Sequence, residues 1–326
     1  MPTPRATTIL DVAREAGVSR QTVTRALNDM ADIAPATRER VIAAARTLGY
    51  RPNRAAQSLV RGAEVTVGLL VESLRNPYYS ELASELSRAA ASRGWGLILC
   101  DVGYEHTDAI GQRLAPLLRR VDVVVGRVPA GSTSHLDIPS VSIDDPDDTL
   151  SGAAVTIDHA AGVEAAMRHL VEQGHENIAM IDSGPVPSPR CLAYRAALEE
   201  AGLPWSPRSE VRVEESHAGG VAAAAELLAR GTAVDAVLAF NDVLAIGALK
   251  ELAGNGRRVP DDVAVVGMDG LDLGGLITPE LTTVATDRAV IAAAALDLVA
   301  VLLDGSPGAE VHRRTITPQL LVRASG

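Results

Sequence analysis

The chain has 326 residues, of which 47% are hydrophobic and 22% are charged, the balance of a globular protein larger than one average domain. No apolar run approaches the ~18 residues that span a bilayer, and Met1 to Thr8 lacks the apolar core of a signal peptide, so we expect a cytoplasmic protein without a membrane segment. The two cysteines, Cys100 and Cys191, are too few for a disulfide framework and are expected to be plain buried thiols.

The net charge of −11 is distributed unevenly along the chain. Residues 1–62 hold ten arginines against five acidic residues, a balance of +5 that leaves −16 for residues 63–326. A basic segment of this size indicates contact with nucleic acid. The acidic remainder would repel phosphate, which argues against a second nucleic-acid site.

The segment from Ile9 to Asn28 has the pattern of two short helices joined by a glycine turn. Thr8 and Ser19 are positioned as the two N-caps, and Gly17 lies where the chain must turn, with a positive φ expected. Apolar residues recur at helical spacing in both helices, with Val12, Ala13 and Ala16 in the first and Val23, Ala26 and Leu27 in the second. The second helix then directs a group of polar side chains outward, as a base-reading helix does: Arg20, Gln21, Thr24 and Arg25. The alternative is an ordinary helical hairpin with a solvated face.

A third helix is predicted from Pro35 to Leu48, with Gly49 as its C-terminal stop. With the runs TILDVAREAGVSRQTVTRALN, TRERV and LGYRPNRAAQSLVRG, the chain resembles the lactose-repressor (LacI) family of bacterial transcription regulators. The helical pattern and this resemblance together predict DNA contacts at a set of polar and hinge residues: Thr8, Ser19, Arg20, Gln21, Thr22, Thr24, Arg25, Asn28, Asn53, Arg54, Gln57 and Leu59.

Residues 50–62 are predicted to form a hinge between residues 1–49, the DNA-binding domain, and residues 63–326, the effector-binding and dimerisation domain. Pro52 ends the preceding element, and Asn53 is positioned to cap a helix of roughly eight residues, too short to be stable alone. Such a helix forms only against a partner helix, DNA or both, and the alternative is a flexible linker. The resemblance implies that this helix enters the minor groove and that Leu59 matches the family's wedge residue.

From Val65 onward, apolar strand patterns alternate with amphipathic helices, which predicts an α/β fold with parallel sheets. The alternation occurs in two similar sets, so we expect two lobes. A last helix from Arg288 to Leu303 and two short strands close the chain. The resemblance implies a periplasmic-binding-protein-like arrangement in which this terminal segment crosses back between the lobes.

Polar residues follow the predicted strands at the ends where ligands bind in open parallel sheets. Few residues of the chain are aromatic, yet Tyr78, Tyr79 and Phe240 fall at these strand ends, which indicates a stacking surface. The resemblance implies effector contacts at Tyr78, Tyr79, Asp144, Arg190, Asn241 and Asp269. Strand-end polar residues also commonly cap the next helix or turn, so the alternative for Asn241 and Asp269 is a capping role without ligand contact.

Two departures from the family pattern concern the ligand. Glu215 or Ser216 stands where relatives often carry a stacking aromatic residue, and GMDG replaces the usual GFDD. With Asp144 and Asp269 both ionised against Arg190, the pocket would be net negative even though Arg127 lies near, which favours a neutral sugar or nucleoside over a phosphate or dicarboxylate.

The sequence therefore predicts a homodimeric, ligand-responsive repressor that reads palindromic operator DNA, without a metal or cofactor. The alternatives are a cytoplasmic enzyme or a solute-binding protein on the same two-lobed fold. Neither a phosphate-binding Walker loop, a GxSxG nucleophile turn nor zinc-ligand spacing is found in the sequence, which disfavours an enzyme. The arginine-rich first 62 residues disfavour a transport protein.

Overall fold

The computed structural model describes residues 9–27, 33–48, 65–103, 118–127, 138–144, 153–231, 233–304 and 312–326, together with Leu114. The chain divides into two compact units, Met1–Ala63 and Glu64–Gly326. Several predicted features lie outside the described residues, namely the cap Thr8, the stop Gly49, the hinge at 50–62 and most of the helix predicted near 108–119.

The first unit contains three described helices, α1 (Ile9–Ala16), α2 (Arg20–Leu27) and α3 (Pro35–Thr47). Each helix contributes a fully buried valine to a common core: Val12, Val23 and Val41. Gly17 has φ +64°, as its place in the turn requires. The backbone N–H of Thr22 donates to Ser19 Oγ at 3.1 Å, so Ser19 caps α2 as predicted.

The second unit is built on two six-stranded sheets that define two lobes. Lobe 1 has an all-parallel sheet in the order β11-β5-β4-β3-β1-β2. Its strands are β1 (Thr66–Val71), β2 (Gly96–Asp101), β3 (Val123–Gly126), β4 (Ser140–Ile143), β5 (Ala153–Ile157) and β11 (Arg313–Ile316). Among the described residues, the helices that pack on this lobe are α4 (Pro77–Ala91) and α9 (Arg288–Leu303).

Lobe 2 has the strand order β12-β10-β9-β8-β6-β7, parallel except for β12, which runs antiparallel to β10. Its strands are β6 (Ile178–Ser183), β7 (Glu210–Val213), β8 (Ala236–Ala239), β9 (Ala264–Asp269), β10 (Thr282–Ala285) and β12 (Gln319–Leu321). The helices that pack on this lobe are α5 (His159–Glu172), α6 (Pro189–Glu200), α7 (His217–Ala229) and α8 (Asp242–Gly254).

The chain passes between the lobes at three points. It leaves lobe 1 after β5, returns through the segment between β10 and α9, and leaves again between β11 and β12. The expected crossing of the terminal segment is confirmed, as are the two lobes and their parallel sheets. Strand β5 was not predicted, because AAVTI is a short run of mostly small side chains, and it becomes a buried strand only through pairing with β4 and β11.

Candidate ligand-binding site

A single cleft between the lobes of the second unit brings together all the residues predicted to contact a ligand. Its empty volume, including the part open to solvent, is ≈ 890 Å³. The predicted residues that line it are Tyr78, Tyr79, Asp144, Arg190, Phe240, Asn241 and Asp269. Because the carboxyl ends of the strands in both sheets face this cleft, residues distant in sequence meet there.

At the base of the cleft, His159 connects Asp144 of lobe 1 to Arg190 of lobe 2. Arg190 Nε donates to His159 Nδ1 at 3.3 Å, and both carboxylate oxygens of Asp144 lie 2.9 Å from His159 Nε2. Because a guanidinium only donates and a carboxylate only accepts, this geometry gives Nδ1 the acceptor role and Nε2 the donor role. Burial alone would raise the pKa of Asp144, but the hydrogen bond from His159 and the charges of Arg190 and Arg127 hold this pKa below its ordinary value.

Arg190 is held by lobe 2 in a fixed position. Its Nη1 donates to the carbonyl oxygen of Phe240 at 2.6 Å, and its guanidinium carbon lies 4.2 Å from the centroid of the Phe240 ring. Its Nη2 lies 3.8 Å from Asp269 Oδ1, beyond hydrogen-bond distance. One face of the Phe240 ring is therefore covered by protein and not left open for a ligand.

Asp269 differs from the sequence expectation of two ionised carboxylates. Burial, with the charges of Asp242 and Glu215 adding to it, raises the pKa of Asp269 well above its ordinary value despite the nearby Arg190 and Arg288. Only Asp144 thus favours the ionised form. The difference arises because Asp144 accepts a hydrogen bond from His159, whereas Arg190 lies beyond hydrogen-bond distance of the Asp269 carboxyl group.

The two aspartates also share an unusual backbone. Among the described residues, Asp144 at φ +50° and Asp269 at φ +111° are the non-glycine residues with positive φ. Residues other than glycine rarely adopt this backbone conformation. It persists where the surrounding structure enforces it, often at binding sites. Both carboxylates are directed by strained strand ends, at β4 and β9.

Asn241 has the capping role that the sequence left open and also lies in the lining of the cleft. Its Oδ1 accepts from the backbone N–H of Leu244 at 2.9 Å, which caps α8. Asn241 is 1% exposed and lines the cleft, yet its Nδ2 has no hydrogen-bond partner among the described residues. The buried hydroxyl of Tyr78 also lacks a partner in this part of the chain. Buried polar atoms of this kind normally find a partner, so a ligand with hydroxyl groups would complete both.

The cleft lining includes two further glutamates, one from each lobe. Glu72 Oε2 accepts from the Tyr79 hydroxyl at 2.8 Å and from Arg127 Nη1 at 3.3 Å. Glu215 Oε1 accepts from Asn76 Nδ2 at 2.8 Å, a hydrogen bond that joins lobe 2 to lobe 1. Burial raises the pKa of Glu215. Of the two residues at the departure from the family pattern, Glu215 faces the cleft and Ser216 caps α7.

Sequence reasoning did not identify the cleft residues at the crossings between lobes. These are Ile157, His159, Thr286 and Pro318. His159 follows β5, so the failure to predict that strand removed the one signal that would have marked His159 as a strand-end residue. Thr286 and Pro318 lie in short connections whose path between lobes is set by tertiary structure.

In the first unit, the predicted base-reading side chains lie on the outer face of α2. Arg20, Gln21 and Arg25 are exposed, and Thr24 Oγ1 donates to the carbonyl oxygen of Arg20 at 3.1 Å. Ser19 and Thr22 bond each other at 2.9 Å between their hydroxyl oxygens. The other predicted contacts lie outside the described residues: Thr8, Asn28, Asn53, Arg54, Gln57 and Leu59.

A helix-turn-helix with an exposed basic helix face and a two-lobed unit with a polar interlobe cleft define a ligand-responsive DNA-binding regulator. Residues 8–53 match the model of the bacterial regulatory proteins of the lacI family, and residues 167–326 match a periplasmic binding protein-like domain. No described helix has the length and apolar character needed to cross a membrane.

Individual proteins agree with these matches. The chain is 31% identical to the ribose operon repressor of Escherichia coli K12, over 98% of this chain and 99% of that protein. It superposes on a complex of the transcriptional regulator CelR with cellobiose at a TM-score of 0.72 and 30% identity, covering 98% of this chain and 100% of the other. The lac repressor dimer bound to operator and an anti-inducer gives a TM-score of 0.72 at 27% identity, covering 98% and 99%. The chain belongs to the LacI family and is a DNA-binding transcription regulator.

Proposed function

We propose that this regulator is a cytoplasmic repressor of a sugar or nucleoside utilisation operon, controlled by a small polyhydroxylated effector in the interlobe cleft. The observation that carries the proposal is the cleft itself. Asn241 Nδ2 and the Tyr78 hydroxyl have no hydrogen-bond partner among the described residues, and they line the same cleft as Asp144 and Arg190. Carboxylate, amide and guanidinium groups bind vicinal hydroxyls through paired hydrogen bonds. The relatives named for ribose and cellobiose support this ligand class.

The proposed DNA site is the outer face of α2 with the predicted hinge, and the proposed assembly is a homodimer. One helix-turn-helix presents a small surface, whereas two related by a two-fold axis read a palindrome with one half-site each. The lac repressor of similar fold is described as a dimer on its operator. The hinge residues lie outside the described residues, so their part in the proposal rests on sequence.

The proposed function is tested by a gel-shift assay with DNA from upstream of the protein's own gene, combined with thermal-shift screening of sugars, nucleosides and organic acids. We expect specific binding to an inverted repeat and a sugar or nucleoside that both raises the melting temperature and changes operator affinity. Arg190→Ala should abolish the thermal shift and leave DNA binding in place. A dicarboxylate that still binds the Arg190→Ala variant would contradict the proposed pocket chemistry.

Arg25→Ala should relax base preference on the operator and cost about 1 to 3 kcal/mol of specific binding free energy, if its exposed side chain makes a bidentate contact with guanine. Fluorescence anisotropy with operator and scrambled DNA measures both affinities. Lys250→Ala, a change of one exposed positive charge in α8 of the second unit, is the control. An equal loss on both DNAs would assign Arg25 to phosphate contact.

A further inference from the structure

Among the described residues, the charged groups that line the interlobe cleft do not balance. Four carboxylates of this part of the chain face the cleft, from Glu72, Asp144, Glu215 and Asp269, against the guanidinium groups of Arg127 and Arg190. His159 is engaged on both sides, since its Nδ1 accepts from Arg190 and its Nε2 donates to Asp144. Arg288 is not part of the cleft lining, although its Nη2 donates to the carbonyl oxygen of Asp269. The charge of Arg288 is paired with Glu81, whose Oε2 lies 2.8 Å from Nη2.

Two of the four carboxylates already have partners within the protein. Glu72 is bound by Arg127 and by the Tyr79 hydroxyl. Asp144 is bound by His159, whose other ring nitrogen accepts from Arg190. These two groups therefore need no charge from a ligand.

Glu215 and Asp269 lack such partners among the described residues. The hydrogen bond to Glu215 comes from the neutral amide of Asn76, and it reaches only Oε1. The nearest cation to Asp269 is Arg190 Nη2 at 3.8 Å, and Arg190 already donates to Phe240 and His159. Burial raises the pKa of both carboxyl groups, and the charge of Glu215 adds to the increase at Asp269. A positive group entering the cleft would favour the ionised form of both carboxyl groups over the protonated form that burial favours.

We propose that the effector is an amino sugar, a polyhydroxylated compound with a primary ammonium group, and that Glu215 receives the ammonium. The inference rests on the proposed small-molecule control and narrows its ligand class. The hydroxyl groups of the sugar would accept from Asn241 Nδ2 and bond the Tyr78 hydroxyl. These two buried polar atoms have no partner among the described residues, and they indicate a ligand independently of the acidic groups. Oε2 of Glu215 would accept from the ammonium while Oε1 keeps its bond to Asn76.

The test is isothermal titration calorimetry of the full chain with matched probes, at a pH below the pKa of the amine. The probes are glucose and galactose, glucosamine and galactosamine, and the two N-acetylated amino sugars, which keep the substituent but lose its charge. In the wild-type protein we expect one amino sugar to bind at least about tenfold more tightly than its parent hexose, because a charge-assisted pair replaces a neutral one. The N-acetylated form should show no such gain.

Glu215→Gln should abolish the preference for the amino sugar over its parent hexose, so that the ratio of the two affinities becomes about 1. The glutamine oxygen still accepts from Asn76 but carries no charge. Glu214→Gln removes the same charge from the neighbouring exposed residue and should leave the preference unchanged. Circular dichroism establishes that both variants are folded. The comparison of amino sugar, hexose and N-acetylated sugar on the wild-type protein tests the inference even if a variant does not fold.

The outcomes separate the inference from the function on which it rests. A hexose that binds as tightly as its amino derivative and changes operator affinity, or a preference that survives Glu215→Gln, would overturn the amino-sugar inference and leave the proposed function intact. Failure of every sugar and nucleoside to bind or to change operator affinity would overturn the proposed function itself. Tighter binding of an amino sugar that depends on Glu215 and alters operator affinity would support both.

Discussion

At the level of single residues, Asp144 and Asp269 are the described cleft residues with a strained backbone. Both have positive φ, a conformation that costs a non-glycine residue about 1 to 3 kcal/mol. The carboxylate of Asp144 offsets part of this cost through its hydrogen bond from His159. Asp269 is left with a buried carboxyl group and a cation 3.8 Å away, so its stabilisation depends on what enters the cleft.

Asp269→Gly should therefore stabilise the ligand-free protein by about 1 kcal/mol. Glycine adopts φ +111° without strain, and the change removes a buried carboxyl group, gains that outweigh the roughly 0.5 to 1 kcal/mol of extra entropy that glycine loses on folding. Urea unfolding measures the effect, and calorimetry should show lost effector binding. Asp144→Gly, which sacrifices the His159 hydrogen bond, should give no gain. If the Asp269→Gly variant is less stable than the wild type, the ion pair between Arg190 and Asp269 stabilises the fold by more than the backbone strain at Asp269 costs.

Asp242 introduces a pH dependence into folding. Its carboxyl group is buried, accepts from the Thr283 hydroxyl at 2.6 Å and the Leu271 N–H at 2.7 Å, and has its pKa raised by burial to about 7. Between the ordinary pKa of an aspartate and about 7, the unfolded chain has released this proton while the folded chain retains it. The contribution of Asp242 to the free energy of unfolding thus falls as pH rises, by about 1.4 kcal/mol per pH unit in this window.

Asp242→Asn should remove this dependence, because the amide keeps the Leu271 contact and the Thr283 hydroxyl can turn to accept. We expect the stability of the variant relative to the wild type to increase as the pH is raised from about 5 to about 8. Urea unfolding at several pH values measures both curves. Parallel curves would show that the Asp242 carboxyl group does not titrate in this range.

At the level of secondary structure, α7 and α8 illustrate why two glycines lie inside long helices. A Cβ on Gly220 would overlap the backbone of Leu244, and a Cβ on Gly247 would overlap the backbone of His217. The two helices therefore cross with their backbones in contact at these glycines. Gly254, at the end of α8, has open space where a Cβ would lie.

Gly247→Ala should destabilise the second unit by about 1 to 3 kcal/mol, because the added methyl group forces the two helices apart. Gly254→Ala in the same helix is the matched control and should be neutral or slightly stabilising, since alanine favours the helix and meets nothing. Thermal and urea unfolding compare the variants. Equal stability of both would show that α7 and α8 tolerate a wider separation.

The same elements show what the sequence could and could not predict. Helix α9 was predicted near Arg288 to Leu303, which are its observed bounds, and its sequence is a long run rich in alanine and leucine, both strong helix formers. Strand β5 was missed because its pairing partners, not its composition, make it a strand. The cleft residues at strand ends were predictable from topology, whereas the Asn76–Glu215 hydrogen bond joins positions 139 residues apart and depends on how the lobes meet.

At the level of the whole molecule, the proposed control of DNA binding depends on contacts that span the cleft. Hydrogen bonds between the lobes join Asp144 to His159, Asn76 to Glu215, and Glu81 to the backbone N–H of Asp272. A ligand changes the balance of lobe arrangements only by binding them with different affinity. Coupling of this kind typically amounts to about 1 to 3 kcal/mol, or 5- to 150-fold in DNA affinity.

The predicted hinge is the segment through which this coupling would act, and Leu59 is its predicted wedge, although residues 49–64 lie outside the described residues. Leu59→Ala should leave effector affinity in the DNA-free protein unchanged and weaken specific operator binding, because a wedge contributes only when it unstacks a base step and bends the DNA. Calorimetry measures the effector, and gel-shift and circular-permutation assays measure affinity and bend. Full operator affinity with an unchanged bend would eliminate the wedge, and the coupling would then have to pass through the placement of the DNA-binding helices alone.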